Sequence, residues 1–156
     1  MSRLTPVKKL ILLIFAVCVF STVFSGEARS ELAIGAARDV VHSQETYSGT
    51  VRYDFRSLNV GAAAWWWDGN KGDTGALELV YNIALGPVDI NAGGAYLYHT
   101  DTVNGTHLNF SLGAALNLGE HFRVMFSHFS NGRGLFKWEK DKPNSGWNFL
   151  GLAYRF

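Results

Sequence analysis

Cysteine is almost missing from this 156-residue chain: the one cysteine, Cys18, lies in an apolar stretch near the start. Beyond it no disulfide framework and no thiol chemistry is available. Proline is scarce, with 3 residues. Charge is scarce as well. Asp, Glu, Lys and Arg make up 17% of the chain, against roughly 25% in soluble domains. The formal net charge of +1 offers no basic surface of the kind nucleic-acid binding needs. Outside the N-terminus no apolar run is long enough for a membrane-spanning helix. What the chain has is 17 glycines, 14% aromatic and 47% hydrophobic residues, a composition suited to a β-rich protein in an apolar setting. The length suits a single domain.

The N-terminus reads as a targeting segment. Arg3, Lys8 and Lys9 make a basic start, Leu10 to Phe24 an apolar core, and Gly26 to Ser30 a small-residue region. These are the parts of a secretory signal peptide, here residues 1–30, cleaved near Ala28 or Ser30. A retained anchor is the alternative, against which the apolar run falls short of a ~20-residue span. Phe15-Ala16-Val17 before Cys18 is a poor lipoprotein signal, so no lipidation is expected. Residues 31–156 then form the single domain.

From Glu31 onward hydrophobicity repeats every two residues, the period of strands. Eight strands are expected: Leu32–Val40, Thr46–Phe55, Ser57–Trp67, Thr74–Leu85, Val88–His99, Thr106–Leu118, one opening at Phe122 and running through Ser130, and Trp147–Phe156. One face is strongly apolar, as with Leu108, Phe110, Leu112, Ala114, Leu116 and Leu118. The other carries small residues such as Ala33, Gly61, Ala63, Ala95 and Ala115. Most strands exceed the ~5–6 residues of soluble sheets and match the ~9–11 of tilted membrane strands. Tight turns at Arg56, Gly86-Pro87 and Gly119-Glu120 alternate with longer connections at Val41–Glu45, Asp68–Asp73, Thr100–Gly105 and Asn131–Gly146. Short turns at one end and long loops at the other are the plan of an outer-membrane barrel. Small residues suit its narrow lumen, whereas a soluble sandwich or lipocalin-like barrel would present them to water. The expected fold is therefore all-β, an eight-stranded antiparallel outer-membrane β-barrel, integral to the bacterial outer membrane. Trp65-Trp66-Trp67, Trp138 and Trp147 are read as its aromatic girdle.

The seventh strand holds an anomaly. Phe122, Val124 and Phe126 alternate into His128 and Ser130, so a histidine and a serine share an apolar face. Parity counted back from Phe156 puts Asn148 on the same outward face of the neighbouring strand. A serine hydroxyl needs a base to take its proton. That base needs a third group to hold its other nitrogen. Ser130 as nucleophile, His128 as general base and Asn148 as orienting group fit those roles, with Asn131 or nearby backbone N–H groups for the oxyanion. A bare His-x-Ser favours the plainer reading of polar residues just above the hydrocarbon, and a non-enzymatic small structural barrel is an alternative to an enzyme.

The wider string adds more. His128-Phe129-Ser130-Asn131-Gly132-Arg133, followed by Pro143-Asn144-Ser145-Gly146-Trp147-Asn148, resembles the lipid A 3-O-deacylase family (PagL type), eight-stranded barrels with this motif on the penultimate strand. The His-x-Ser-Asn-Gly-Arg string and the Trp-Asn pair also resemble outer-membrane phospholipase A, whose barrel is larger. The resemblance implies a hydrolase acting on an ester-linked 3-O-hydroxyacyl chain of lipid A in the outer leaflet of lipopolysaccharide. The best-known deacylase has Glu where this chain has Asn148, and the phospholipase pattern has Asn; Glu139 is an alternative acid. Arg133, Lys137, Lys140 and Lys142 are candidates to clamp lipid A phosphates, ordinary solvated loop charges being the other reading. No metal and no cofactor are expected, since His42, His99, His107 and His121 lack ligand spacing. Calcium enters only under the phospholipase resemblance. Monomer and homodimer both stay open.

Overall fold

A computed structural model describes residues 30–42, 45–69, 72–131 and 145–156. Residues 1–29 of the proposed signal peptide lie outside these residues, and its last residue, Ser30, opens the first strand. The strands are β1 (Ser30–Asp39), β2 (Tyr47–Phe55), β3 (Val60–Gly69), β4 (Gly72–Leu85), β5 (Val88–Leu97), β6 (Leu108–Leu118), β7 (Phe122–Ser130) and β8 (Trp147–Arg155). Each pairs antiparallel with its sequence neighbour, and β1 pairs with β8 to close the barrel. Closure leaves no unpaired edge, which hydrocarbon could not satisfy.

The two-residue period sorts the side chains to two sides. Outward, Ile34, Leu79, Tyr81, Ile83, Leu85, Ile90, Leu112, Leu116, Phe122, Leu152 and Tyr154 are exposed. In water such a continuous apolar belt would be a liability; in a bilayer it is the surface that binds lipid tails. Inward, the lumen is filled in layers. At the short-turn end, the Arg123 guanidinium lies 3.1 Å from Glu31, 3.2 Å from Asp54 and 3.1 Å from Asp89. Arg52 pairs with Asp54 at 2.9 Å, and Arg155 lies 3.5 Å from Glu31. On the turn itself, a hydrogen bond to Glu31 and the nearby carboxylates outweigh partial burial and hold the Arg56 guanidinium above its usual range. In the middle, the Glu78 carboxylate accepts from Trp65 Nε1 at 2.9 Å and from the Ser111 hydroxyl. At the long-loop end, Trp65, Trp67, Phe129, Trp147 and Phe149 pack together with ring centroids 5.1–6.3 Å apart.

Three expectations are corrected. The first is the tryptophan girdle. Trp65, Trp67 and Trp147 are 3%, 3% and 1% exposed and fill the lumen; among the described tryptophans of that group only Trp66 faces outward. Alternation forces this: three consecutive tryptophans cannot share a face. Trp66 lies over Gly49 on β2, where an added Cβ would meet the indole at 2.2 Å. Trp138 lies outside the described residues. The second concerns β2 and β3. They are joined by a turn over residues 56–59, not at Arg56 alone, with Asn59 at φ 54, a left-handed conformation asparagine tolerates. Ser57 and Leu58 therefore belong to the turn. The third concerns β3 and β4, which continue pairing to Gly69 and Gly72, so Asp68 and Asp73 are ladder residues and not loop. That hairpin projects past its neighbours at the long-loop end. The fold is that of an eight-stranded outer-membrane barrel, and its apolar exterior makes it an integral membrane protein.

Candidate functional site

The residues of the proposed site lie on β7 and β8. Arg123, Met125, Ser127 and Phe129 turn into the lumen and are buried. The intervening residues Phe122, Val124, Phe126, His128 and Ser130 must then face the lipid. On β8, Trp147, Phe149, Ala153 and Arg155 are buried and Leu150, Leu152 and Tyr154 are exposed, which turns Asn148 outward. The register sets His128 directly opposite Asn148. On the other flank, Leu112 is opposite His128 and Phe110 is opposite Ser130. All three polar residues sit at the long-loop ends of their strands. In outer-membrane barrels that end faces outward from the cell.

His128 Nδ1 and Asn148 Oδ1 are 2.8 Å apart. The amide orientation follows from its other end: Asn148 Nδ2 donates to the Gly146 carbonyl at 2.9 Å. With the amide N–H engaged there, Oδ1 faces the ring. His128 Nδ1 must therefore carry the proton and donate, which leaves Nε2 as the basic nitrogen. Ser130 is two residues along the same face, an axial offset of roughly 7 Å between Cα atoms. Both His128 and Ser130 are half-buried, and Asn131 is 2% exposed. Such an arrangement has the parts of a proton-transfer relay at the lipid boundary: a hydroxyl, an imidazole and an amide that selects its tautomer.

Two residues with no assigned role hold this pair in place. Gly146 has φ +70, and a Cβ added there would lie 2.5 Å from His128 Cε1 and 3.3 Å from Nδ1. Its backbone thus lies against the imidazole at Cε1 while its carbonyl fixes the Asn148 amide. The preceding residue is braced in turn, since Ser145 N–H donates to the Val103 carbonyl at 2.9 Å. Val103 belongs to the β5–β6 connection, where Asp101 Oδ1 accepts the N–H groups of Val103 and Asn104 at 2.8 and 2.7 Å. The second residue is Asp39, the last of β1. Its Oδ1 accepts the backbone N–H of Asn148 at 3.0 Å, and its Oδ2 accepts from His42 N–H and Nδ1 at 2.8 and 2.9 Å. A signal for Asp39 existed in the sequence: a carboxylate at the end of an alternating strand, at a position with lumen parity. Arg133, Lys137, Glu139, Lys140 and Lys142 lie outside the described residues.

No protein-family model matches the sequence, and comparison with curated proteins gives no match. Two solved structures are similar. The outer membrane enzyme PagL superposes with a TM-score of 0.54 at 21% identity, over 81% of this chain and 98% of that one. The Yersinia pestis outer membrane protein Ail, in a phospholipid bilayer nanodisc, gives a TM-score of 0.41 at 17% identity, over 83% and 100%. At this identity the likeness to PagL is one of fold: this chain shares the small outer-membrane barrel architecture.

Proposed function

We propose that this barrel is an outer-membrane esterase that releases the ester-linked 3-O-hydroxyacyl chain of lipid A. The observation that carries the reading is the hydrogen bond of 2.8 Å between His128 and Asn148 on the lipid-facing side, two residues from Ser130. Polar groups are costly in contact with hydrocarbon unless paired. A pair whose tautomer leaves Nε2 basic is what a serine nucleophile needs beside it. In this mechanism His128 Nε2 takes the Ser130 hydroxyl proton as Oγ attacks the acyl carbonyl. Asn131 and adjacent backbone N–H groups hold the oxyanion. His128 then returns the proton to the departing sugar hydroxyl. Water, deprotonated by the same imidazole, cleaves the acyl-enzyme and frees a 3-hydroxy fatty acid. The substrate arrives by lateral diffusion in the outer leaflet, so no channel is required. Arg133, Lys137, Lys140 and Lys142 are proposed to meet the phosphates of lipid A, and no cofactor takes part.

One feature favours a second reading. The third residue is the neutral Asn148, as in the outer-membrane phospholipase pattern, so glycerophospholipid is the competing substrate. Mass spectrometry of lipids from cells with and without the protein separates the two, by free 3-hydroxy acid or by lysophospholipid. Ser130→Ala and His128→Ala are expected to leave a folded barrel and fully acylated lipid A. Continued loss of the acyl chain in Ser130→Ala cells would exclude the mechanism.

A further inference from the structure

Resting on the esterase reading for its catalytic meaning, we propose that Asp39 is a positioning residue whose carboxylate supplies the negative charge that the neutral Asn148 lacks. The strand ladder explains how it comes to do so. β1 ends at Asp39, and the next residue, Val40, donates its N–H to the Asn148 carbonyl at 2.9 Å. In a continuing antiparallel ladder a β1 carbonyl would take the Asn148 N–H in return. Here the Asp39 side chain takes it instead, at 3.0 Å. Residues 39 and 40 together thus hold both backbone polar groups of Asn148.

The electrostatics are unusual for a structural contact. The Asp39 side chain is wholly buried, and a buried carboxylate is costly unless fully hydrogen-bonded or paired. Three donors satisfy it: Asn148 N–H, His42 N–H and His42 Nδ1. His42 is itself held edge-on against the Trp147 ring, with centroids 5.3 Å apart. Among the described residues no lysine or arginine pairs with Asp39. The adjacent Arg38 is on the opposite face of β1, against Glu45 at 3.5 Å and the Tyr47 ring at 6.0 Å. Among the described residues, the neighbours of His128 on its own face, Leu112 across the ladder and Phe126 and Ser130 along the strand, carry no charge. Among the described residues Asp39 is therefore the carboxylate that the fold sets behind the His128–Asn148 pair. Two strand spacings separate β1 from β7, roughly 10 Å, through an environment that screens weakly. Its field favours the imidazolium that forms when His128 takes the Ser130 proton, and its hydrogen bond fixes the backbone from which the Asn148 amide projects.

The test uses the refolded barrel in mixed micelles with lipid A, folding being followed by electrophoretic mobility before and after heating. Asp39→Asn keeps an oxygen that can accept the Asn148 N–H but removes the charge. It is expected to lower kcat about tenfold with KM unchanged, the scale of one charge acting through a partly screened interior. The double variant Asp39→Asn, Asn148→Asp, which moves the carboxylate into the relay but gives up the amide's bond to Gly146, is expected to recover part of that loss, and Asn148→Asp alone to gain less over the parent than the double variant gains over Asp39→Asn. A purely structural role for Asp39 would give no such coupling. Should Asp39→Asn fail to fold, Asp39→Ser retains an acceptor and serves in its place. A second readout does not depend on turnover: in 1H–15N spectra the His128 Nδ1–H resonance, from the hydrogen bond of 2.8 Å to Asn148, is expected to move in Asp39→Asn relative to the parent barrel. Wild-type kcat in Asp39→Asn, or an unmoved His128 resonance, overturns the inference. Absence of ester release by the parent protein counts against the esterase reading alone, and the resonance comparison then decides the role of Asp39.

Discussion

Gly146 shows how much of the candidate site depends on one backbone position. Its φ of +70 lies in the left-handed region, and its missing Cβ is the space the His128 ring occupies. Gly146→Ala therefore adds backbone strain and a contact of 2.5 Å to His128 Cε1. The ring must tilt, and misplacement by about 1 Å in such relays costs on the order of 100-fold in rate. That loss is the expected outcome for Gly146→Ala in ester release, with the barrel still folded by its gel mobility. The sequence contained Gly146 within the Pro143–Asn148 run, but a glycine in a loop does not announce which ring lies against it. What Asp39 meets was hidden for a related reason. Its partner Asn148 is 109 residues away in sequence and meets it only because β1 and β8 close the barrel.

β7 carries the division of labour at the scale of an element. Its inward side begins with Arg123 in the carboxylate network and ends with Phe129 in the aromatic layer; its outward side ends with His128 and Ser130. One register slip would exchange the two sides, so the lumen packing of β7 is also what aims His128 at the lipid. Arg123 ties that register down through three carboxylates and through Asn117, which accepts from its Nε at 3.0 Å. Among the described residues it is the one cation pairing with Asp89. Arg123→Ala leaves that carboxylate in the lumen without its ion-pair partner, and a loss of about 3–5 kcal/mol in unfolding free energy is expected. Urea titration in lipid vesicles measures it. The two-residue period made the faces of β7 and β8 readable in advance, including the outward parity of Asn148. It also held the information that Trp65 and Trp67 point inward, although tryptophan's preference for membrane interfaces argued the other way. Pairing beyond residue 67 was not readable: Asp68, Gly69, Gly72 and Asp73 have poor strand propensity, and their ladder forms because Trp67 and Thr74 below already set the register.

At the scale of the whole molecule, an apolar belt outside and a filled, partly charged lumen invert the arrangement of a soluble protein. Leu152 illustrates it: the middle outward residue of β8, it is 59% exposed. Leu152→Arg is expected to destabilise the barrel in a bilayer by about 2–4 kcal/mol, the cost of a cation near the membrane midplane. Folding equilibria in vesicles check this, and an effect near zero would place that face outside the hydrocarbon. The same inversion gives the candidate site its setting. Under the proposed esterase reading, a hydrophobic exterior that ends at His128, Ser130 and Asn148 lets a lipid ester reach these residues by diffusion in two dimensions.

The sequence by itself determined the strand period, the strand count, the outward apolar face and the fact that His128, Ser130 and Asn148 share it. Each of these depends on neighbours along one chain segment, where alternation is written residue by residue. Only the tertiary structure decided what stands behind them. The closure of β1 onto β8 brought the Asp39 carboxylate to the Asn148 backbone. The return of the chain at Ser145 and Gly146 laid a glycine against His128. Closure also brought the inward-facing Trp65 and Trp67 into one layer with Phe129, Trp147 and Phe149. These contacts join residues far apart in sequence, and no local pattern encodes them. They follow from the register and closure of the whole sheet.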